Sequence, residues 1–169
     1  MTEPSEAQAS RETVVIAFDG SPAARRAIEE AARIFRSSHV LVVTVWEEGL
    51  AYATPPAPLD GMAMAPVVDP GVALEVDRSV HDQADRVSSE GAALAKSLGL
   101  EAQPLAVPDE RDVARTILTV ADKHQAAAIV VGSRGLSGIR ARLEGSTSKA
   151  LLKHASCPVL VVHEADEGR

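Results

Sequence analysis

Cysteine and aromatic residues are almost missing from this chain: one Cys, one Trp, one Tyr and two Phe among 169 residues. A single thiol, Cys157, excludes an internal disulfide and a thiolate metal cluster. With aromatics at 2%, Val, Ala, Leu and Ile must build the core, and they supply most of the 46% hydrophobic content. That bias suits a buried parallel sheet under alanine-rich helices. Basic residues are also in deficit: 17 Lys and Arg against 24 Asp and Glu give a net charge of −7 and a pI near 5.2. Neither nucleic acid nor an anionic membrane is then expected as a partner, and an anionic ligand needs a local positive field. No apolar run approaches the ~20 residues that span a bilayer. Residues 1–12 are polar and lack the apolar segment of a secretory leader, so a cytoplasmic location is expected. His39, His81, His124, His154 and His163 show no metal-ligand spacing.

A chain of this length fits one domain, which would bury roughly 70% of its unfolded surface. Residues 13–18 (TVVIAF) are a β-branched run stopped by Asp19-Gly20, the pattern of a fully buried strand. Ser21-Pro22 supplies a helix cap and a proline at the first helical position, and Ala24, Ala27, Ile28, Ala31, Ile34 and Phe35 follow at helical spacing. A second strand is expected at 40–45. Residues 47–70 hold five prolines, show no period and read as a long mobile loop covering a ligand or meeting a partner. From Leu74, the spacing of Val76, Val80, Ala84, Val87, Gly91, Leu94 and Leu98 predicts one long helix, closed by Gly99. A weaker strand follows at 101–107, then a helix opened by Pro108-Asp109 with Val113, Ile117, Val120 and Ala121 on its apolar face. Strand four spans 128–131, a helix Ser146–His154, and a last strand Val159–Val162. The expected domain is 13–163, with tails at 1–12 and 164–169. The order β-α-β-α-β-α-β-α-β implies an open, doubly wound α/β fold with a five-stranded parallel sheet and helices on both faces.

Directly behind the apolar run at 126–131, Gly132, Gly135 and Gly145 stand in a G-x2-G-x9-G-[ST] frame closed by Ser146. Average composition would produce this spacing in only about 1% of chains of this length, so it is treated as a signal. Glycines at fixed offsets behind a strand let backbone N–H groups approach an anion, and Gly145-Ser146 opens a helix whose dipole favours negative charge. The hydroxyls of Ser146 and Thr147 can donate to phosphate oxygens, and Arg134, Arg140 and Arg142 add positive charge. Ligands of open α/β sheets bind beyond the carboxyl ends of the strands, where the strand order reverses. Asp19 leaves strand one at that edge, either as an acceptor for a ribose or a metal-bound water, or as the starter of a turn. Val45 ends strand two, where its backbone could face a base edge or simply close the strand. Ser21 reads as a helix cap, His154 as a dipole cap and Cys157 as a small buried hydrophobe. There is no Walker lysine, no G-x-G-x-x-G after the first strand, and no nucleophile–base arrangement.

These residues resemble the universal stress protein family, in its ATP-binding branch. The resemblance is carried by Phe18-Asp19-Gly20-Ser21-Pro22, Gly132-Ser133-Arg134-Gly135, Gly145-Ser146, and the segment from His154 through Cys157-Pro158 to Val162. It implies a Rossmann-like sheet of order 3-2-1-4-5, a bound adenine nucleotide (ATP, with or without Mg²⁺) and a homodimer built partly through the last strand. It also implies a stress-response role in which occupancy or slow hydrolysis changes binding to a regulatory protein partner. Carried onto this chain, Asp19 and Val45 would hold adenosine. Val131 and Gly132 would line the ribose and the first phosphate, while Gly135, Gly145, Ser146 and Thr147 would hold the phosphate chain. With no base to activate water, enzymatic activity is expected to be slow ATP hydrolysis at most, with no catalytic residue assigned. Three alternatives remain: a module for AMP or cyclic AMP, an adenylyl-transferring enzyme of a related α/β superfamily, and a dimerising module with a vestigial pocket.

Overall fold

The computed structural model describes residues 12–36, 38–48, 70–109, 112–133 and 146–163. Its elements are β1 (Thr13–Ala17), α1 (Pro22–Ile34), β2 (His39–Trp46), α2 (Pro70–Ser97), β3 (Glu101–Pro108), α3 (Val113–Lys123), β4 (Ala128–Gly132), α4 (Ser146–His154) and β5 (Val159–Val162). The strands form one sheet in the order β3-β2-β1-β4-β5, and every neighbouring pair is parallel. This is the doubly wound α/β arrangement expected from the sequence. Successive strands run outward from β1 to β3, then the chain crosses to β4 and β5, so the order reverses between β1 and β4.

Alternation along β1 distributes its side chains to two cores. Val14, Ile16 and Phe18 pack beneath α1 and α2, while Val15 and Ala17 meet α3 and α4 on the other face. Val14, Val15 and Ile16 are completely buried, as a central strand covered on both sides requires. Each such side chain contributes about 1.5–3 kcal/mol of transfer free energy, which is why β-branched apolar residues fill both faces of β1 and β4.

Helix boundaries follow local chemistry. Ser21 Oγ accepts from the Ala24 N–H at 3.1 Å, with Pro22 at the first helical position of α1. At the end of α2, Gly99 takes φ +88°, the Leu100 N–H donates to the Ala95 carbonyl and the Gly99 N–H to that of Lys96. These paired bonds satisfy carbonyls that the helix leaves open. The ends of β1, β2 and β4 differ from the sequence reading by one residue, so that Trp46 rather than Val45 ends β2, and two helix starts differ by more. Helix α2 begins at Pro70 rather than near Leu74. Pro108-Asp109 does not start α3: Pro108 belongs to β3, the Asp109 N–H donates to the Trp46 carbonyl, and the cap is Asp112, whose carboxylate accepts from the Arg115 N–H at 2.9 Å.

Helix α2 has 28 residues, about 42 Å of helix, against eight residues, about 26 Å, in β2. Val87 lies beside Gly20 at the carboxyl end of β1, so the turns of α2 before Val87 project past the sheet. Val76 and Val80 there are only half-buried, and the buried positions of α2 are small residues, Ala73, Ala84, Ser88, Gly91, Ala92 and Ala95.

Candidate functional site

Backbone polarity at the carboxyl edge shows where a ligand can be held. In a parallel strand, one residue's N–H and C=O point to the same neighbour, and the direction alternates along the chain. The Phe18 N–H donates to the Val43 carbonyl at 2.8 Å, so Val43 faces β1. Val45, two residues on, presents its N–H and C=O in the same direction. There β1 has already ended, its register with β2 stopping at Ala17↔Val43. The Trp46 carbonyl points the other way, accepting from Asp109 on the β3 side. On the opposite flank, pairing of β1 with β4 stops at Ile16↔Val130, and Val131 and Gly132 run on beyond it. A crevice therefore opens above the end of β1, between two strands that run on past it.

The turn leaving β1 forms the floor of this crevice. Asp19 is half-buried, and its Oδ1 accepts from the Ser21 N–H at 3.0 Å. Gly20 takes φ +80°, a conformation that disfavours any side chain. Asp19 thus performs the turn role considered from the sequence, while Oδ1 remains one of two carboxylate oxygens. Phe18, immediately before it, is fixed on three sides. Its N–H bonds to Val43, its carbonyl accepts from Thr44 Oγ1 at 2.8 Å, and its ring packs against Gly91 of α2.

Gly132 has a packing reason of its own. A Cβ placed there would lie 2.7 Å from the Ala23 carbonyl carbon, so the end of β4 touches the first turn of α1 directly. Val131 is buried with its side chain toward α3 and α4. Helix α4 joins two parallel strands and so runs antiparallel to them, which places Ser146 and Thr147 at the carboxyl edge; Thr147 is half-buried. Asp19, Val45, Val131 and Gly132 thus meet around the crevice, with Thr147 on the same edge. Arg134, Gly135 and Gly145 lie outside the described residues, as does the Ser146 side chain, and so do 49–69 of the proline-rich stretch.

Beyond Val45, Trp46 packs edge-on against His81 of α2, with ring centroids 5.3 Å apart. His81 Nδ1 stands 3.6 Å from Asp85 and 3.9 Å from Asp82. Among the described residues there is no group of three His, Cys, Asp or Glu able to hold a metal ion, and no helix long and apolar enough to cross a membrane. Sequence reasoning missed Thr44 and the Phe18–Gly91 seat. The available signal was a lone hydroxyl inside the otherwise apolar run VVTVW.

The universal stress protein family model matches residues 10–163, nearly the whole chain. This chain belongs to the universal stress protein family. Universal stress protein Rv2623 of Mycobacterium tuberculosis is 30% identical over 157 residues, covering 90% of this chain and 48% of that protein. A universal stress protein of Thermus aquaticus is 27% identical over 152 residues, covering 89% of this chain and 97% of its own length. The chain therefore spans about half the length of the mycobacterial relative and nearly all of the other. Among solved structures, a universal stress protein in complex with cAMP aligns with TM-score 0.60 at 23% identity, covering 92% of this chain and 99% of that one. The Archaeoglobus fulgidus universal stress protein in complex with dAMP gives 0.56 at 21%, with coverage of 90% and 97%. An Arabidopsis thaliana family protein with AMP bound gives 0.57 at 18%, with coverage of 93% and 94%. At these identities the structural likeness establishes the universal stress protein fold.

Proposed function

We propose that this universal stress protein binds an adenine nucleotide, ATP foremost, in the crevice above β1, and that it works as a homodimeric regulator of a stress response. The observation that carries the reading is the Val45 backbone edge, which continues past the end of β1 on the side that Val43 uses to bind Phe18. An N–H and a C=O on one residue suit the acceptor–donor edge of adenine. Asp19 stands across the floor with a carboxylate oxygen for the ribose hydroxyls. The glycine frame at Gly132, Gly135 and Gly145, with Arg134, Ser146 and Thr147, supplies the phosphate donors in this reading. Charge-assisted hydrogen bonds of roughly 1.5–3 kcal/mol each support micromolar affinity from a handful of contacts. Mg²⁺, where it takes part, arrives with the triphosphate.

The relatives solved with AMP, dAMP and cAMP favour a second reading, in which a monophosphate is the physiological ligand. The homodimer is supported by β5, whose outer edge is short and apolar. The regulatory reading places signalling in a protein partner that distinguishes the nucleotide states, with hydrolysis slow at most.

Trp46 adjoins Val45 and is the sole tryptophan, so its emission reports on the base site. Titration with ATP, AMP and cyclic AMP is expected to give a saturable change, ATP at the lowest concentration, and GTP none. Silence toward all four, in fluorescence and calorimetry alike, would overturn the nucleotide reading.

A further inference from the structure

We infer that Thr44 is a positioning residue for Asp19, acting through the Phe18 carbonyl. The inference rests on the nucleotide reading only for its effect on affinity. Thr44 is buried, and it is the one polar residue in a run of valines that ends at Val45. Its hydroxyl donates to the Phe18 carbonyl at 2.8 Å, across 26 residues of sequence. That carbonyl belongs to the peptide unit that carries Asp19, so the bond fixes the plane from which the Asp19 side chain departs. Without it, the carbonyl beyond the last β1–β2 rung would be buried with no partner, a penalty that a small rotation of the peptide relieves.

The rest of the turn magnifies any such rotation. On one side of Asp19, the Phe18 ring is wedged against Gly91, where a Cβ would fall 2.7 Å from Phe18 Cδ1. On the other, Gly20 takes φ +80°, and a Cβ there would reach Val87 of α2 only at ordinary contact distance, 3.9 Å. With the Phe18 ring seated against α2, the peptide between Phe18 and Asp19 is where the turn can yield, and Thr44 is the group that holds it. Thr44 also precedes Val45, so a single residue ties the base-facing edge of β2 to the acidic floor of the crevice.

The hydroxyl and the methyl of Thr44 are separable. Thr44→Val keeps the shape and removes the donor; Thr44→Ser keeps the donor and removes the methyl. Two readouts are needed: exchange of the Ser21 amide, whose hydrogen bond to Asp19 Oδ1 reports the turn without ligand, and ATP affinity by calorimetry. Thr44→Val is expected to speed Ser21 exchange and weaken ATP binding, each about tenfold, while Thr44→Ser stays within about twofold of the unmodified protein. Unchanged Ser21 exchange in Thr44→Val overturns the positioning role, whatever the nucleotide does. A Thr44→Ser variant as impaired as Thr44→Val overturns it too, because packing of the methyl would then be the cause. Faster Ser21 exchange with unaltered ATP affinity removes Asp19 from the ligand site. Failure of the unmodified protein to bind any adenine nucleotide removes the nucleotide reading itself, and leaves the positioning role to be decided by amide exchange.

Discussion

On one side of β1, β2 and β3 have eight residues each and lie under the 28-residue α2. On the other, β4 and β5 have five and four, with the 13-residue α1 across the same face. Both halves bring helix and sheet into close contact through a glycine, in opposite senses. In the long half the glycine belongs to the helix: Gly91 admits the Phe18 ring and Val42 from the sheet. In the short half it belongs to the strand: Gly132 admits the Ala23 backbone from α1. The outer edges differ as well. Asp109 bonds to Trp46 on β2, so odd-numbered β3 residues face inward and Pro104 and Pro108 lie on the outward register, where they remove two donors. Ile129 and Ser133 donate to the Pro158 and Val162 carbonyls, so Val159 and Val161 face outward with their donors intact. The long half is thus blunted against further pairing and the short half is open to it.

The sharpest way to break this contrast is a matched pair of prolines. Val161→Pro removes an outward N–H from β5 and leaves the ladder to β4 in place. For the proposed homodimer, it is expected to raise the dissociation constant by about two orders of magnitude, taking for a lost ladder donor the ~3 kcal/mol that proline costs inside a helix. Ala106→Pro makes the same change at an outward position of β3 and is expected to leave the mass in solution unchanged. Sedimentation equilibrium distinguishes the two. Equal effects, or none from Val161→Pro, would overturn the proposal of a dimer paired through β5.

The glycine pair is the next test. Gly132→Ala presses a methyl on a backbone carbonyl that cannot step aside, and is expected to cost about 3 kcal/mol; Gly91→Ala presses on the buried Phe18 ring and Val42, which yield only by strained side-chain adjustment, and about 2 kcal/mol is expected. Urea denaturation measures both. A larger loss at Gly91 would mean that the long half, not the short one, is the tighter contact.

The two halves were also unequally legible in the sequence. Around β1 and β4, wholly apolar runs rich in β-branched residues mark the strands and Ser21-Pro22 marks the start of α1, because burial on both faces leaves no other pattern. The close of α2 at Gly99 was equally plain, since the αL conformation selects glycine. The failures lie in the long half. Pro108-Asp109 looked like a helix start because proline and an acid suit a first turn, yet pairing to β2 carries the strand through them and Asp112 holds the cap. The spacing puts Val76, Val80, Ala84, Val87, Gly91, Leu94 and Leu98 on one α2 stripe; Ala84 and Gly91 are buried, but Val76 and Val80 are half-buried and Leu98 is 43% exposed, because close packing against the sheet selects Ala, Gly and Ser over larger side chains. Of the crevice, the glycine at 132 was visible as a ligand signal, while its contact with Ala23 was not, because that contact exists only once α1 crosses to β4.

The lead-in to β5 gives the smallest expected effect, and it probes whether the short half is loose throughout or only at its outer edge. Cys157 is half-buried against the α3–α4 side of the core. Burial pushes its thiol above the usual range, the Asp122 carboxylate pushes it further, and a backbone hydrogen bond opposes both. Because the folded pKa is the higher one, the folded state keeps its proton where the unfolded chain has begun to lose it. Its contribution to stability is therefore whole below the unfolded pKa and is lost as the pH rises through the folded value. Alkylation by iodoacetamide at pH 8 is expected to be several-fold slower than for the urea-unfolded chain, since the thiolate is the nucleophile. Asp122→Asn removes the charge and keeps an oxygen to accept from Ser156 Oγ, which lies 2.6 Å from Asp122 Oδ1. It should recover only part of that rate, because burial is the larger cause. If Asp122→Asn instead recovers all of it, charge rather than packing governs the thiol, and the short half is already open where β5 begins.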